Sequence, residues 1–138
     1  MAISHSEILH LAKSMAEHAE NEVNLRASIG RAYYSMFHVA HELAGGRVPK
    51  NHPIPGKNFK GGTHARLSQY LADCAEDLHP AHVRALQLLS VKLKMCHKFR
   101  CEADYELTQN IHKSQLDCIL KDAEMAQNIL KKIKALVA

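Results

Sequence analysis

What the chain lacks narrows its class before any motif is read. No window approaches the roughly 18 unbroken apolar residues that a membrane span needs, and Met1-Ala-Ile-Ser-His-Ser-Glu7 has no basic segment leading into an apolar one. The expectation is a soluble, cytoplasmic protein with no membrane partner. Cysteine is sparse: Cys74, Cys96, Cys101 and Cys118 show neither Cys-x-x-Cys spacing nor the density of a secreted scaffold. That argues against a zinc framework and a disulfide-built fold and leaves reduced thiols. Nothing reads as a strand or as an internal repeat, and 138 residues suffice for one helical core and not two. The chain is therefore read as one all-α domain over residues 1–138.

Acid is missing from one place in particular. Residues 45–62 hold Arg47, Lys50, Lys57 and Lys60 and neither Asp nor Glu; the remaining charges cancel, so the net charge of +4 is localised there. A basic segment of this kind attracts phosphate, whether of a nucleotide, RNA or DNA. A loop kept soluble by its lysines has the same composition, and both readings stay open. These four residues are the candidate phosphate-binding set.

What is present is helical periodicity. Ser4-His-Ser-Glu7 reads as a capping box, and Ile8, Leu11, Met15 and Ala19 recur at helical spacing, giving a first helix from about Ser4 to Glu20. Asn21 and Asn24 offer a break. Leu25, Ile29, Ala32, Met36, Ala40 and Leu43 then form a second stripe that stops at Gly45-Gly46. Residues 45–62, with five glycines and three prolines, have no period and are expected to form a long loop. Thr63 can cap a third helix with Leu67, Tyr70, Leu71 and Cys74 inward, and Pro80 suits the first turn of a fourth carrying Val83, Leu86, Leu89, Leu93, Cys96 and Phe99. Ser114-Gln-Leu-Asp117 opens the last, with Leu116, Ile119, Leu120, Ala123, Ala126, Leu130 and Ile133 inward. Five amphipathic helices with mostly short connections predict an antiparallel bundle with a long basic loop between helices two and three. Tyr33, Tyr34, Phe37 and Val39 exceed a single stripe on helix two, which predicts a face buried against a second copy.

Three blocks carry a family resemblance: Arg26 to Ala44 with its Arg-Ala-Tyr-Tyr core and downstream His, Gly61-Gly-Thr-His-Ala-Arg-Leu67, and Phe99-Arg-Cys-Glu-Ala-Asp-Tyr105. In this order, over almost the whole chain, they resemble the HEPN family. The resemblance implies a helical bundle, a homodimer and a prokaryotic toxin-antitoxin or phage-defence setting. It also implies RNA or a nucleotide as ligand. Many members are metal-independent ribonucleases; others are partnered modules, for instance beside a nucleotidyltransferase. No cofactor is expected.

The family site is an Arg followed by a His after four to six residues, and Arg31 and His38 meet that spacing. Seven helical steps turn about 700°, which sets both side chains on one face roughly 10 Å apart. In such a site the His takes the ribose 2′-hydroxyl proton and the Arg holds the scissile phosphate. Arg47 and His52 meet the same spacing, so spacing alone does not single out a site. In the ribonuclease branch the pair usually lies on the later helix, where Arg100 is followed by Asp104 and Tyr105 and no His before His112. Arg100 and Asp104 at i, i+4 read as a structural ion pair, and His97, one turn before Arg100, is the alternative base. Glu7 with His10 and Glu76 with His79 match half of a dimetal motif but lie at helix ends, where such a site cannot assemble. His38 and His41, with Glu42 adjacent, form a weak surface pair for adventitious metal, and no resident metal is expected.

Overall fold

Side chains set where the first two helices begin. In the computed structural model, which describes residues 3–18 and 20–137 (the side chains of 136 and 137 excepted), α1 spans His5–Glu17 and α2 Glu22–Leu43. Ser4 Oγ accepts the Glu7 N–H while Glu7 returns a carboxylate oxygen to the Ser4 N–H at 2.7 Å, so the expected capping box is formed. Asn21 caps α2 by accepting the Asn24 N–H at 2.9 Å. At the far end of α2, Gly45 and Gly46 adopt φ of 74° and 75° and donate to the carbonyls of Glu42 and His41. Only glycine takes two successive left-handed residues at little cost, and the helix stops there.

The rest of the chain forms α3 (Thr63–Asp73), the single turn α4 (Ala75–Leu78), a 3₁₀ turn at Pro80–His82, α5 (Val83–Tyr105) and α6 (Lys113–Val137). The described residues are thus all-helical, with six helices where five were expected. The extra one is a turn in the 74–79 connection, too short to carry an apolar period. Pro80 opens the 3₁₀ turn and not α5 itself. Thr63 is inside α3, whose cap is Gly62 without a side-chain bond. The last helix starts at Lys113, and Gln115 accepts the His112 N–H just before it. None of the helices is long and apolar enough to cross a membrane.

α2 is the central element, packed by α1, α5 and α6, with α3 leaning on α5. Contacts fix the directions. Ser28 Oγ donates to the Ala12 carbonyl at 2.9 Å while His5 pairs with Glu42, so α1 runs against α2. Arg26 reaches Ala103 and Tyr33 faces His97, so α5 also runs against it. Glu22 meets Ile111 and Glu42 meets Lys134, so α6 runs alongside α2 in the same sense and the antiparallel description fails for this pair.

The core follows the expected stripes on α2, α3, α5 and α6: Ile29, Ala32, Met36, Leu67, Leu71, Leu89, Leu93, Leu116 and Ile119 are fully buried. Burying each large aliphatic contributes about 2 kcal/mol. On α1 the expected phase is off, for Leu9 and Ala12 are buried while Leu11 is 49% exposed. Ala12 lets α1 approach α2 closely enough for the Ser28 bond, and bulkier Leu11 does not; Ala19 lies outside the described residues. Tyr33 and Val39 are fully buried within this chain, so only Tyr34 and Phe37 remain half-buried from the surplus on α2. Arg26 is a structural arginine. Its guanidinium donates to the carbonyls of Glu102, Ala103, Glu106 and Gln109, tying the last turn of α5 to the connection that follows it.

Candidate functional site

The segment between α2 and α3 is a folded flap laid on α3. The Phe59 N–H donates to the Lys50 carbonyl and the His52 N–H to the Lys57 carbonyl, around a bridge between Asn51 and Asn58. Phe59 is buried against Tyr70 and His52, and His52 Nε2 lies 3.2 Å from Asp73. The four basic residues separate accordingly. Arg47 donates to the Tyr70 hydroxyl at 3.2 Å, and Lys50 and Lys57 are exposed on the flap. Lys60 is pinned by Gln69, whose side-chain oxygen accepts the Lys60 N–H at 3.0 Å and whose nitrogen donates to the Lys60 carbonyl at 2.6 Å.

That pinned lysine stands at a cavity of about 400 Å³ between α3 and α5, lined by Lys60, His64, Ala65, Ser68, Gln69, Lys94 and His97. No carboxylate is among these residues. The His64 and His97 rings stack, centroids 4.6 Å apart and 15° from parallel, and the Tyr33 hydroxyl lies 2.6 Å from His64 Nδ1. Phe37 abuts His64 at 4.8 Å. Burial holds both imidazoles below their ordinary pKa; His97 pushes His64 down further, and the Arg100 charge lowers both. Both rings are thus neutral near pH 7, the form in which an imidazole can accept a proton.

Arg100, one turn beyond His97, is held on several sides. Its guanidinium lies over the Tyr34 ring at 5.2 Å and the Tyr105 ring at 5.5 Å, and its Nε is 2.8 Å from Asp104 Oδ2. That contact is off the N–H direction, since Arg100 Nε has no geometrically sound hydrogen bond, so the pair is ionic in character. Burial opposes the Arg100 charge, but Tyr34 and Asp104 outweigh it and hold the guanidinium above its usual pKa.

The earlier pair is not brought together. Arg31 is exposed and lines a cavity of about 280 Å³ with Ala27, Gly30, Tyr34 and Asp104. His38, exposed two turns on, lines another of about 750 Å³ with His5, His41, Glu42 and Lys134. This second cavity is the larger, yet its one carboxylate is already engaged: Glu42 pairs with His5 at 3.6 Å and with Lys134 at 3.3 Å. His38 is held below its ordinary pKa by burial, then by His41 and His5. The half-motifs for a dimetal site have structural duties, Glu7 in the capping box and His79 on the Leu43 carbonyl.

Sequence reading missed His64, Tyr33 and Lys94 as site residues. The Thr-His block pointed at His64, but nothing local in the sequence joins it to Tyr33, 31 positions earlier. What fold and site define is a class: an all-helical protein in which α3, α5 and the flap gather two imidazoles and two lysines in one cavity, with an arginine one turn away. No protein-family model, curated protein or solved structure matches the chain.

Proposed function

We propose that this chain is a HEPN-type bundle acting on RNA as a metal-independent endoribonuclease. Its core would be the five longer helices and the basic flap, working as a cytoplasmic homodimer in a prokaryotic toxin-antitoxin or phage-defence setting. The observation that carries the reading is the stacked His64–His97 pair in an acid-free cavity flanked by Lys60 and Lys94. A phosphate of single-stranded RNA enters such a cavity by charge, and a neutral imidazole waits inside it. His97 removes the ribose 2′-hydroxyl proton. The 2′-oxygen then bonds to phosphorus as the bond to the 5′-oxygen breaks, and the leaving oxygen takes a proton from the imidazolium. Lys60, Lys94 and His64 stabilise the charge that grows on the phosphate oxygens. The site therefore centres on His97, with Arg31 and His38 outside it.

A helix face on α5 that leaves Leu88, Val91 and Met95 exposed supports a second copy, and light scattering at micromolar concentration tests it. Cleavage is tested by incubating purified protein with single-stranded RNA in excess chelator and sizing the fragments. Products ending in 2′,3′-cyclic phosphate are expected, and intact RNA under all conditions rejects the enzyme.

A second reading, a non-catalytic nucleotide- or partner-binding module beside a nucleotidyltransferase-type protein, is favoured by one observation. Arg100 is enclosed by two tyrosine rings and Asp104, as a structural arginine is. Salt-dependent RNA or nucleotide binding without cleavage selects it.

A further inference from the structure

Tyr33 is fully buried, and its hydroxyl has one hydrogen-bond partner among the described residues, His64 Nδ1 at 2.6 Å. Two arrangements fit that distance. If Nδ1 carries the hydrogen, the tyrosine accepts it and its own phenolic hydrogen is left buried without an acceptor. If the tyrosine donates, both groups are satisfied and the imidazole hydrogen must sit on Nε2.

We infer that Tyr33 donates to His64 Nδ1 and so fixes His64 as the neutral Nε2–H tautomer, a permanent N–H donor for a phosphate oxygen, leaving His97 as the proton-exchanging imidazole of the pair. The inference deepens the reading of this cavity as a phosphate site and makes Tyr33 a positioning residue.

The surroundings agree from every side. α2 contributes Tyr33 and Tyr34, the flap Lys60, and α5 Lys94, His97, Arg100 and Cys101, with Asp104 tied to Arg100. These groups are cationic or neutral apart from that one paired carboxylate. Burial drives the Tyr33 phenol well above its ordinary pKa, so it remains a donor at any working pH. Two stacked imidazolium rings repel, so the second proton enters the pair at lower pH than the first. Accepting the first at His64 would leave the buried Tyr33 hydrogen with no other hydrogen-bond acceptor among the described residues. His97 has no such constraint, because Cys101 Sγ at 3.5 Å from its Nε2 is a weak partner that fixes no tautomer.

The test needs no RNA. Long-range nitrogen–proton NMR on full-length protein with labelled histidines, near neutral pH, should show His64 protonated at Nε2 and bare at Nδ1. His97 should titrate at higher pH than His64. Inorganic phosphate should shift the His64 Nε2–H signal. In Tyr33→Phe the two His64 tautomers should mix and its titration should move up, with His97 still titrating. A hydrogen on Nδ1 in the native protein overturns the inference even if Tyr33→Phe does not fold. A phosphate response at His97 alone overturns the donor role. Loss of RNA cleavage with the native tautomer as described would count against the enzyme and leave this assignment standing.

Discussion

Two histidine clusters pack on α2, one near its middle and one at its C-terminal end, and only one has stacked rings in a cavity without acid. At the α1–α2–α6 end, His5, His38 and His41 surround a wide cavity whose single carboxylate already serves His5 and Lys134. At the α2–α3–α5 junction there is no acid in the cavity, the rings are stacked in register, and a buried phenol holds one of them. The contrast teaches that imidazole density alone does not make a site. What matters is whether the rings are oriented by a partner and whether the charge around them suits an anion.

The largest expected effect breaks or keeps this contrast. His97→Ala should cost on the order of 10² or more in RNA cleavage rate, the scale a general base supplies. His38→Ala should leave the rate within about two-fold, since His38 lines a different cavity from the stacked pair and does not reach the reacting phosphate. Single-turnover rates per folded molecule decide it, and the reverse pattern would move the site to the His5–His38–His41 cavity.

Arg26 stands outside both histidine clusters and sets the scale for a purely structural side chain. Arg26→Ala should lower unfolding free energy by about 2–3 kcal/mol, because one buried and three part-buried carbonyls are deprived of a charged donor at once. Denaturant titration measures it.

Charge sharpens the comparison further. The Lys60→Ala, Lys94→Ala double variant should weaken RNA binding and flatten its salt slope by about 0.7 for each phosphate left without its lysine. The Lys50→Ala, Lys57→Ala pair should change both far less, since these side chains are exposed on the flap and do not line the cavity. Equal weakening in the two variants would return the binding surface to the flap as a whole.

Acid should reveal the junction as well. His38, His64 and His97 all have folded pKa values below the ordinary 6.5, burial being the first cause in each. The unfolded chain therefore takes up protons first as pH falls. The stability they contribute is complete above about 6.5 and is lost as pH drops through it toward the folded values. Thermal melts between about pH 7.5 and 5.5 should show a falling Tm, with a slope reduced more by His64→Ala, His97→Ala than by His38→Ala. The smallest effect is expected from Asp104→Ala. The carboxylate is 34% exposed and its ion pair with Arg100 contributes under about 1 kcal/mol, so stability should drop slightly and cleavage per folded molecule should hold.

Much of this frame was legible because long helices repeat their message. Leu25, Ile29, Ala32, Met36, Ala40 and Leu43 are all buried as their spacing predicts, and the stripes of α3, α5 and α6 hold almost as well. α1 misled because Ile8, Leu11 and Met15 compete with Leu9, Ala12 and Ala16 at the same period, and close approach to α2 chose the alanines. The flap was legible only as aperiodic: a Phe59 anchor and a His52–Asp73 contact leave no local signature. His97 and Arg100 were visible as candidates. His64 and Lys94 were not, since stacking between α3 and α5 is a product of how the helices cross, and a lone lysine on an exposed face looks like any other.

The double grip of Gln69 on Lys60, together with buried Phe59, has a practical consequence for handling the protein. These anchors follow residue 58 and the His52–Asp73 contact precedes residue 53, so the exposed hairpin tip at Pro55-Gly56 lies between them and does not line the cavity. A short epitope or fluorophore-bearing peptide spliced between those two residues lengthens a closed loop at little entropic cost. The tip is therefore the natural place to attach a reporter that watches the cavity without entering it.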